Sequence, residues 1–361
     1  MRSFTIIEIK AALLSVPTSD PFVIASGEVR ATRSVLVTAK IRSKFNEDAI
    51  GLGEAACLPP VTREDQGDAL SAVQHAAPQL EGRRIDDLDA LRALLDRALA
   101  QFPVARSGIE VALLDAIARI EKKPLHAFLS EKSEATEPLE TDITIPLLAP
   151  DRMAALAVEW TKKGFHALKV KMGRDVQADL KALEAMVKAV PTAKFRPDAN
   201  AGLSVKDALA FVAEAQKLKA HIECFEQPCK TAAELKEVAD ALELPVIADE
   251  SAQSIADVES LIATKSCDGV NLKIAKFGSL LKARQAGLLA QKAGLKLMVG
   301  GMVETRLGMT AATHLAASLG HVDFADLDTA WLLTEERFAG GYEGTVTYTL
   351  PATHGLGVST K

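Results

Sequence analysis

Apolar and polar residues alternate through FTIIEIKAALL, SVLVTAKIR and the GLGEAA segment, a period of two that predicts an antiparallel sheet early in the chain. The period then lengthens. Three helices are expected near residues 65–80, 86–101 and 106–121, the last keeping Ile109, Leu113, Ile117 and Ile120 at helical spacing. Residues 1–135 therefore read as an α+β domain of their own.

From Thr141 onward, short apolar runs alternate with amphipathic ones. DVQADLKALEAMVKAV sets Val176, Leu180, Leu183, Val187 and Val190 on one helical face. Ser204 with Asp207, and Ser254 with Asp257, mark helix starts, and Gly294 is placed to end the helix before LKLMV. Strands are expected near residues 142–147, 167–171, 194–198, 222–226, 246–249, 269–273, 296–300 and 323–326. The class is α/β, and the arrangement a (β/α)7β, TIM-like barrel over residues 136–335, with residues 1–135 as a capping domain. Residues 336–361, with the strand-like GTVTYTL, are expected to return to the cap.

Lys171, Asp198, Glu226, Asp249 and Lys273 each end one of these apolar runs, at intervals of 27, 28, 23 and 24 residues. An open doubly wound sheet places its ligand at one switch point and does not use five successive strand ends, so the closed barrel is the better reading. Its C-terminal mouth would then hold three carboxylates between two amines.

Composition narrows the function. The chain has 361 residues, 48% of them hydrophobic, and a net charge of −6. No basic run suggests a nucleic-acid partner, and no apolar run reaches the ~20 residues of a membrane span. The opening alternates instead of forming a signal peptide's apolar core, so a cytoplasmic protein is expected. Four cysteines form no CxxC pair and seven histidines no HExxH, which disfavours a zinc site and suits buried thiols in a reducing compartment.

Asp198, Glu226 and Asp249 are hard oxygen donors suited to magnesium, and an enclosed set of three carboxylates calls for a divalent cation. Lys171 and Lys273, on strands two and six, face each other across the mouth. A lysine acts as a base only with a lowered pKa, and Lys169 and the cation both oppose a second positive charge on Lys171. Two facing lysines suit removal of a proton from one side of a carbon and its return to the other. A Schiff-base aldolase using either lysine, and a non-catalytic ligand-binding barrel, are the readings from other classes.

These residues resemble the enolase superfamily, in which a Lys or His base works with magnesium. The resemblance spans nearly the whole chain. It includes the helix VALLDAIARIEKKPLHAFL, the K-x-K of Lys169 and Lys171, Asp198-Ala199-Asn200, Glu226-Gln227-Pro228, Asp249-Glu250-Ser251 and Asn271-Leu272-Lys273. These are marks of the muconate-lactonizing-enzyme subgroup. Asp326 and Asp328 end the eighth strand in a D-x-D that resembles its dipeptide epimerases, where such a pair accepts the substrate's α-ammonium group.

The resemblance implies that a dipeptide's terminal carboxylate binds magnesium while Lys171 and Lys273 exchange the α-proton of its C-terminal residue. Lys169, Thr144, Gly301 and Met302 would contact substrate, with Asn200 and Glu250 in support. N-acylamino-acid racemase or cycloisomerase is the runner-up within the superfamily. A homo-oligomer is possible.

Relatives acting on Ala-Glu carry an arginine in the loop before the second cap strand, where PFVIASG has Ser26. A neutral or apolar C-terminal side chain is therefore expected over an acidic one. Arg30 or Arg33 could reach in from a shifted loop, and Glu64 and Asp65 leave a cationic side chain open. Pro197, inside a central strand, requires a local adjustment of the ladder. Gly300-Gly301 lacks a following lysine and reads as a tight turn, not a phosphate loop.

Overall fold

The computed structural model describes residues 3–24, 27–130, 137–173 and 175–361. The chain opens with β1 (Phe4–Leu14), β2 (Pro17–Ile24), β3 (Gly27–Ala31), β4 (Arg33–Ser43) and β5 (Asp48–Cys57). Helices α1 (Gln66–Leu80), α2 (Leu88–Leu99) and α3 (Pro103–Ile120) follow, with β6 (Arg84–Ile85) between the first two and α4 (Leu125–Ser130) after the third. Alternation in β1 buries Phe4, Ile6, Ile9 and Leu14, and the strands order as β5-β4-β1-β6 with β1/β4 and β4/β5 antiparallel.

The third helix lies almost in the plane of closest approach to β5. A Cβ at Gly53 would sit 2.1 Å from the Gly108 carbonyl oxygen, and one at Gly51 2.0 Å from that of Ala112. Glycine is required there because backbone meets backbone. On its other side α3 carries polar groups into the barrel. Arg106 donates to the Gly278 carbonyl at 2.7 Å, and Glu110 accepts from Ser279 Oγ at 2.7 and 2.9 Å.

The second region alternates as β7 (Leu139–Glu140), β8 (Ile143–Ile145), α5 (Pro150–Lys162), β9 (Ala167–Lys171), α6 (Val176–Ala189), β10 (Lys194–Asp198) and α7 (Val205–Lys217). It continues with β11 (His221–Ile222), β12 (Phe225–Glu226), α8 (Ala232–Ala241), β13 (Val246–Ala248), α9 (Ile255–Thr264), β14 (Gly269–Lys273) and the one-turn α10 (Ile274–Phe277). Then come α11 (Leu280–Lys292), β15 (Lys296–Gly300), α12 (Arg306–Leu319) and β16 (Phe324–Asp326). Side chains of Ser204 and Ser254 accept from the Asp207 and Asp257 amides and start α7 and α9, while Gly294 takes φ 82° just past α11.

Among the described residues the parallel sheet runs β8-β9-β10-β12-β13-β14-β15-β16. A parallel bridge of Thr141 to Ala325, with the Asp142 amide donating to the Ala325 carbonyl at 3.1 Å, closes the ring. The fold is an eight-strand TIM-like barrel with a separate N-terminal α+β region.

The fourth strand is split. Its two pieces pair with β10 at Phe195–Ile222 and Asp198–Glu226, so it carries one extra residue opposite Arg196 and Pro197. The bulge falls where proline supplies no ladder donor. That is the adjustment Pro197 demands.

Past a 3-10 turn at Thr329–Leu332 lie β17 (Phe338–Gly340), β18 (Thr347–Tyr348) and β19 (Val358–Thr360). The GTVTYTL segment contributes only the short β18, which pairs with β7 beside the barrel instead of the cap sheet. Contact with α3 comes further on, where the Leu356 amide donates to Asp115 at 2.7 Å and Arg119 to the Val358 carbonyl at 2.7 Å.

Candidate active site

Strand register brings the site together. Lys171 pairs with Asp198 and Asp198 with Glu226, while Lys273 pairs with Gly300 and Gly300 with Asp326. Register thus groups Lys171 with Asp198 and Glu226, and Lys273 with Asp326, at the C-terminal ends of their strands, with Asp249 one residue past β13. All are buried.

Ammonium groups bridge the acids. Lys171 Nζ lies 2.6 Å from Asp198 Oδ2, and Lys273 Nζ 2.9 Å from Asp249 Oδ2. Lys169 Nζ reaches Glu226 Oε2 at 2.7 Å, Asp326 Oδ2 at 2.7 Å and Asp198 Oδ2 at 3.2 Å. The sequence reading assigned no role to Lys276, three residues past Lys273. It donates to the Asp249 carbonyl at 2.6 Å and pairs with Asp249 Oδ1. Its spacing from Lys273, one helical turn, was the available signal.

Neutral side chains hold the acids in place. Asn271 Nδ2 donates to Glu226 Oε1 at 2.9 Å, and Gln227 Oε1 accepts from the Asp249 amide at 2.7 Å. Asn200 donates from its amide to Asp198 Oδ1 at 2.9 Å and from Nδ2 to Glu250 Oε1 at 3.1 Å. Asn200 and Gln227 take φ of 43° and 34°, a left-handed backbone that costs about 1–3 kcal/mol and persists only where surroundings enforce it.

A small cavity is lined by Thr144, Lys169, Lys171, Asn200, Asp249, Lys273, Gly301, Met302, Asp326 and Thr329 from the barrel. Phe22, Leu58 and Val61 close it from the cap. Both candidate base lysines therefore face one space. The cap hairpin is tied over it by the Val23 carbonyl, which accepts from the Leu147 amide at 3.1 Å, and by the Pro17 carbonyl, which accepts from Thr334 at 2.9 Å.

A Cβ at Gly301 would lie 2.3 Å from Met309 Cε, so the end of that side chain would have to move. The adjoining Met302 amide donates to Glu304 Oε1 at 2.8 Å. Burial, then neighbouring Glu54, pushes the Glu304 carboxyl up to about 8.

Asp328 Oδ2 accepts from the Thr144 amide, and its buried Oδ1 has no hydrogen-bond partner. Burial and then Asp326 push the Asp328 carboxyl up to about 7. Burial and then Asp249 push Glu250 to about 7 as well. Burial also opposes ionisation of Asp198, but Lys171 and Lys169 prevail and hold its pKa low.

Lys273 departs from the lowered pKa expected of a base. Burial works to lower Lys169 and Lys273, yet the surrounding carboxylates outweigh it and hold both above the ordinary lysine value. Carboxylates outnumber ammonium groups in this mouth, so the local field is negative.

Among the described residues, the three acids whose oxygens all lie within 4.8 Å of one another are Asp142, Asp326 and Asp328, not Asp198, Glu226 and Asp249. The first set already has internal cations: Arg196 binds Asp142 at 2.9 Å and Lys169 binds Asp326. In the second, Lys169 joins Asp198 to Glu226, Lys171 pairs with Asp198, and Lys273 and Lys276 pair with Asp249. Its donor set still suits magnesium: Asp198, Glu226 and Asp249 offer hard carboxylate oxygens from neighbouring strands of one barrel.

Other charges near the lid are accounted for elsewhere. Glu64 is buried, and its carboxylate accepts from the Val104 and Ala105 amides at 2.8 and 2.9 Å, the start of α3. Asp65 caps α1. Neither lines the cavity, which removes the support for a cationic substrate side chain. Arg30 pairs with Glu28 at 2.5 Å and Arg33 approaches Asp65 at 3.9 Å, both outside the cavity. Ser26 lies outside the described residues. The four cysteines are free and buried. No helix among the described residues is long and apolar enough to cross a membrane.

Comparison with known proteins agrees with this geometry. Residues 7–130 match the mandelate racemase/muconate lactonizing enzyme N-terminal domain, and residues 152–361 the enolase C-terminal domain-like family. The chain is 36% identical to the aromatic dipeptide epimerase of Herpetosiphon aurantiacus, covering 98% of this chain and 99% of the relative. It superposes on a substrate-liganded complex of the L-Ala-D/L-Glu epimerase from Bacillus subtilis with TM-score 0.92 at 32% identity, covering 99% of both chains. A dipeptide epimerase from Cytophaga hutchinsonii, complexed with Mg and D-Ala-L-Val, gives TM-score 0.91 at 29% identity over 99% of this chain and 96% of that one.

Proposed function

The chain belongs to the mandelate racemase/muconate lactonizing enzyme family of the enolase superfamily and, within it, to the dipeptide epimerases, and from that premise we propose how its site works. It is an isomerase that inverts the α-carbon of the C-terminal residue of an L,L-dipeptide by two-lysine 1,1-proton transfer. The observation that carries this reading is that Lys171 and Lys273, from strands two and six, line one cavity with Asp326 at its wall.

Each lysine serves one face of the α-carbon: one takes the proton and the other returns one from the opposite side. Asp326 and Asp328 receive the substrate's α-ammonium group, for which the unpartnered Asp328 Oδ1 is a free acceptor. Lys169 holds the acids in place and contributes charge toward the substrate carboxylate. Thr144, Gly301 and Met302 shape the wall, and Asn200 and Glu250 support Asp198 from behind. Asp198, Glu226 and Asp249 would hold a magnesium ion, which would supply Lewis-acid charge beside the substrate carboxylate.

A neutral or apolar C-terminal side chain is favoured by the cap's contribution of Phe22, Leu58 and Val61, with no arginine among the described lining residues. An unpaired buried carboxylate costs about 3–5 kcal/mol. Ala-Glu should therefore turn over at least about a hundredfold more slowly than Ala-Phe or Ala-Leu.

The experiment is a dipeptide screen in deuterated water with magnesium, read by mass spectrometry. Substrates gain a single deuterium, and a chelator stops the gain until magnesium is returned. Exchange of no dipeptide would overturn the function, and preferred exchange of Ala-Glu would overturn the specificity.

A further inference from the structure

Next to the catalytic cavity, sharing Phe22 and Thr144 with it as lining residues, lies a second one of about 110 Å³ between the cap hairpin, α5 and the 3-10 turn. Its walls are Pro146, Leu156, Trp160, Trp331 and Leu332. Both tryptophans of the chain stand in it. We propose that this cavity receives the side chain of the dipeptide's N-terminal residue, and that it selects an aromatic or branched aliphatic group there.

This inference rests on the dipeptide reading and adds the second side chain to it. An ammonium group held by Asp326 and Asp328 fixes the N-terminal α-carbon one covalent bond away. Thr144, whose amide donates to Asp328 Oδ2, also lines the second cavity, and the Trp331 amide donates to the Asp328 carbonyl at 2.8 Å. The side chain of the N-terminal residue therefore starts at the mouth of this cavity.

Its walls are fixed before any ligand arrives. Trp331 Nε1 donates to Tyr348 Oη at 2.8 Å. Trp160 packs edge-on against Phe165, with ring centroids 5.6 Å apart, and lies under the Lys163 ammonium at 3.8 Å. The charges at the rim are already neutralised in pairs: Asp20 with Arg152 at 2.8 Å, and Glu159 with Lys163 at 2.9 Å. Beside Ser19 and these pairs, Pro146, Leu156, Trp160, Trp331 and Leu332 offer a ligand apolar faces. A cavity of about 150 Å³ accommodates benzene, so the space here suits a leucine or phenyl group with a small displacement of Phe22. A methyl group leaves most of it unfilled.

The test holds the C-terminal residue as leucine and varies the N-terminal one through Gly, Ala, Leu and Phe. In deuterated water with magnesium, Leu-Leu and Phe-Leu should show a kcat/KM at least about tenfold above Gly-Leu, the scale of a filled apolar pocket. Leu156→Phe narrows the cavity and should reverse that ranking. Because Trp160 and Trp331 are the only indoles, their fluorescence should respond to Phe-Leu more than to Gly-Leu in the unsubstituted protein. Exchange of α-protons with a flat N-terminal ranking and equal fluorescence responses would overturn the subsite while leaving the epimerase reading intact. Lack of exchange by any dipeptide would remove that reading first. Should Leu156→Phe fail to fold, the fluorescence comparison alone decides.

Discussion

At the barrel mouth, Lys169, Lys171, Lys273 and Lys276 sit within bonding distance of Asp198, Glu226 and Asp249. The cap covers the same cavity with Phe22, Leu58 and Val61. Charges at the mouth are held by ladder register and by Asn271, Gln227 and Asn200, so small displacements there cost much. The apolar lid is held by a few backbone hydrogen bonds between the cap hairpin and the loops after strands one and eight. Under the proposed mechanism, chemistry and specificity would reside in regions held by different kinds of contact. The lid can change its side chains without disturbing the groups that move the proton.

Removing either proton carrier should have the largest effect. Lys171→Ala or Lys273→Ala should lower epimerisation by about 10²- to 10⁴-fold with the fold retained by circular dichroism. Retention of exchange for both epimers in either variant would break the two-lysine scheme.

Next in size is Asp328→Asn, which should raise KM for dipeptides about 10- to 100-fold with a smaller change in kcat, as for a hydrogen bond to a charged group. Because burial and Asp326 lift the Asp328 carboxyl to about 7, it gains its proton as pH falls through that value. KM should then rise below about pH 7 in the unsubstituted protein and lose that component in Asp328→Asn. Its pKa is raised on folding, so the folded state binds the extra proton and its stabilising contribution fades as pH climbs from about 4 to 7.

The smallest effect on activity is expected in the cap. Gly53→Ala forces a Cβ against the Gly108 carbonyl and should destabilise the protein by about 1–3 kcal/mol in urea unfolding. The kcat of the folded fraction should be unchanged. A large loss of kcat would show that cap packing and barrel chemistry are not separable.

Much of the barrel was legible because its signal is periodic. The run KFRPD predicted β10 at 194–198 to the residue, and the interval from Lys171 to Asp198 equals one strand–helix unit, which register then confirms as a pair. The bulge opposite Pro197 was legible as a need but not as a geometry, because the extra residue belongs to a different strand. Lys276 received no role from the sequence. Its role appears only when α10 turns it back onto Asp249. Glu64 failed in the other direction: an acid in a loop near the lid proved to cap the start of α3, 40 positions along the chain.

From sequence alone came the barrel class and the placing of three acids and two lysines at successive strand ends, since each follows from local period and spacing. Only the tertiary structure decided which apolar residues line the cavity, that Lys169 and Lys273 lie in a negative field, and that two tryptophans 171 positions apart share one pocket. The physical reason is the same in each case. Side-chain neighbours across strands and loops, and the sum of charges they bring, are properties of the closed chain and leave no period in the sequence.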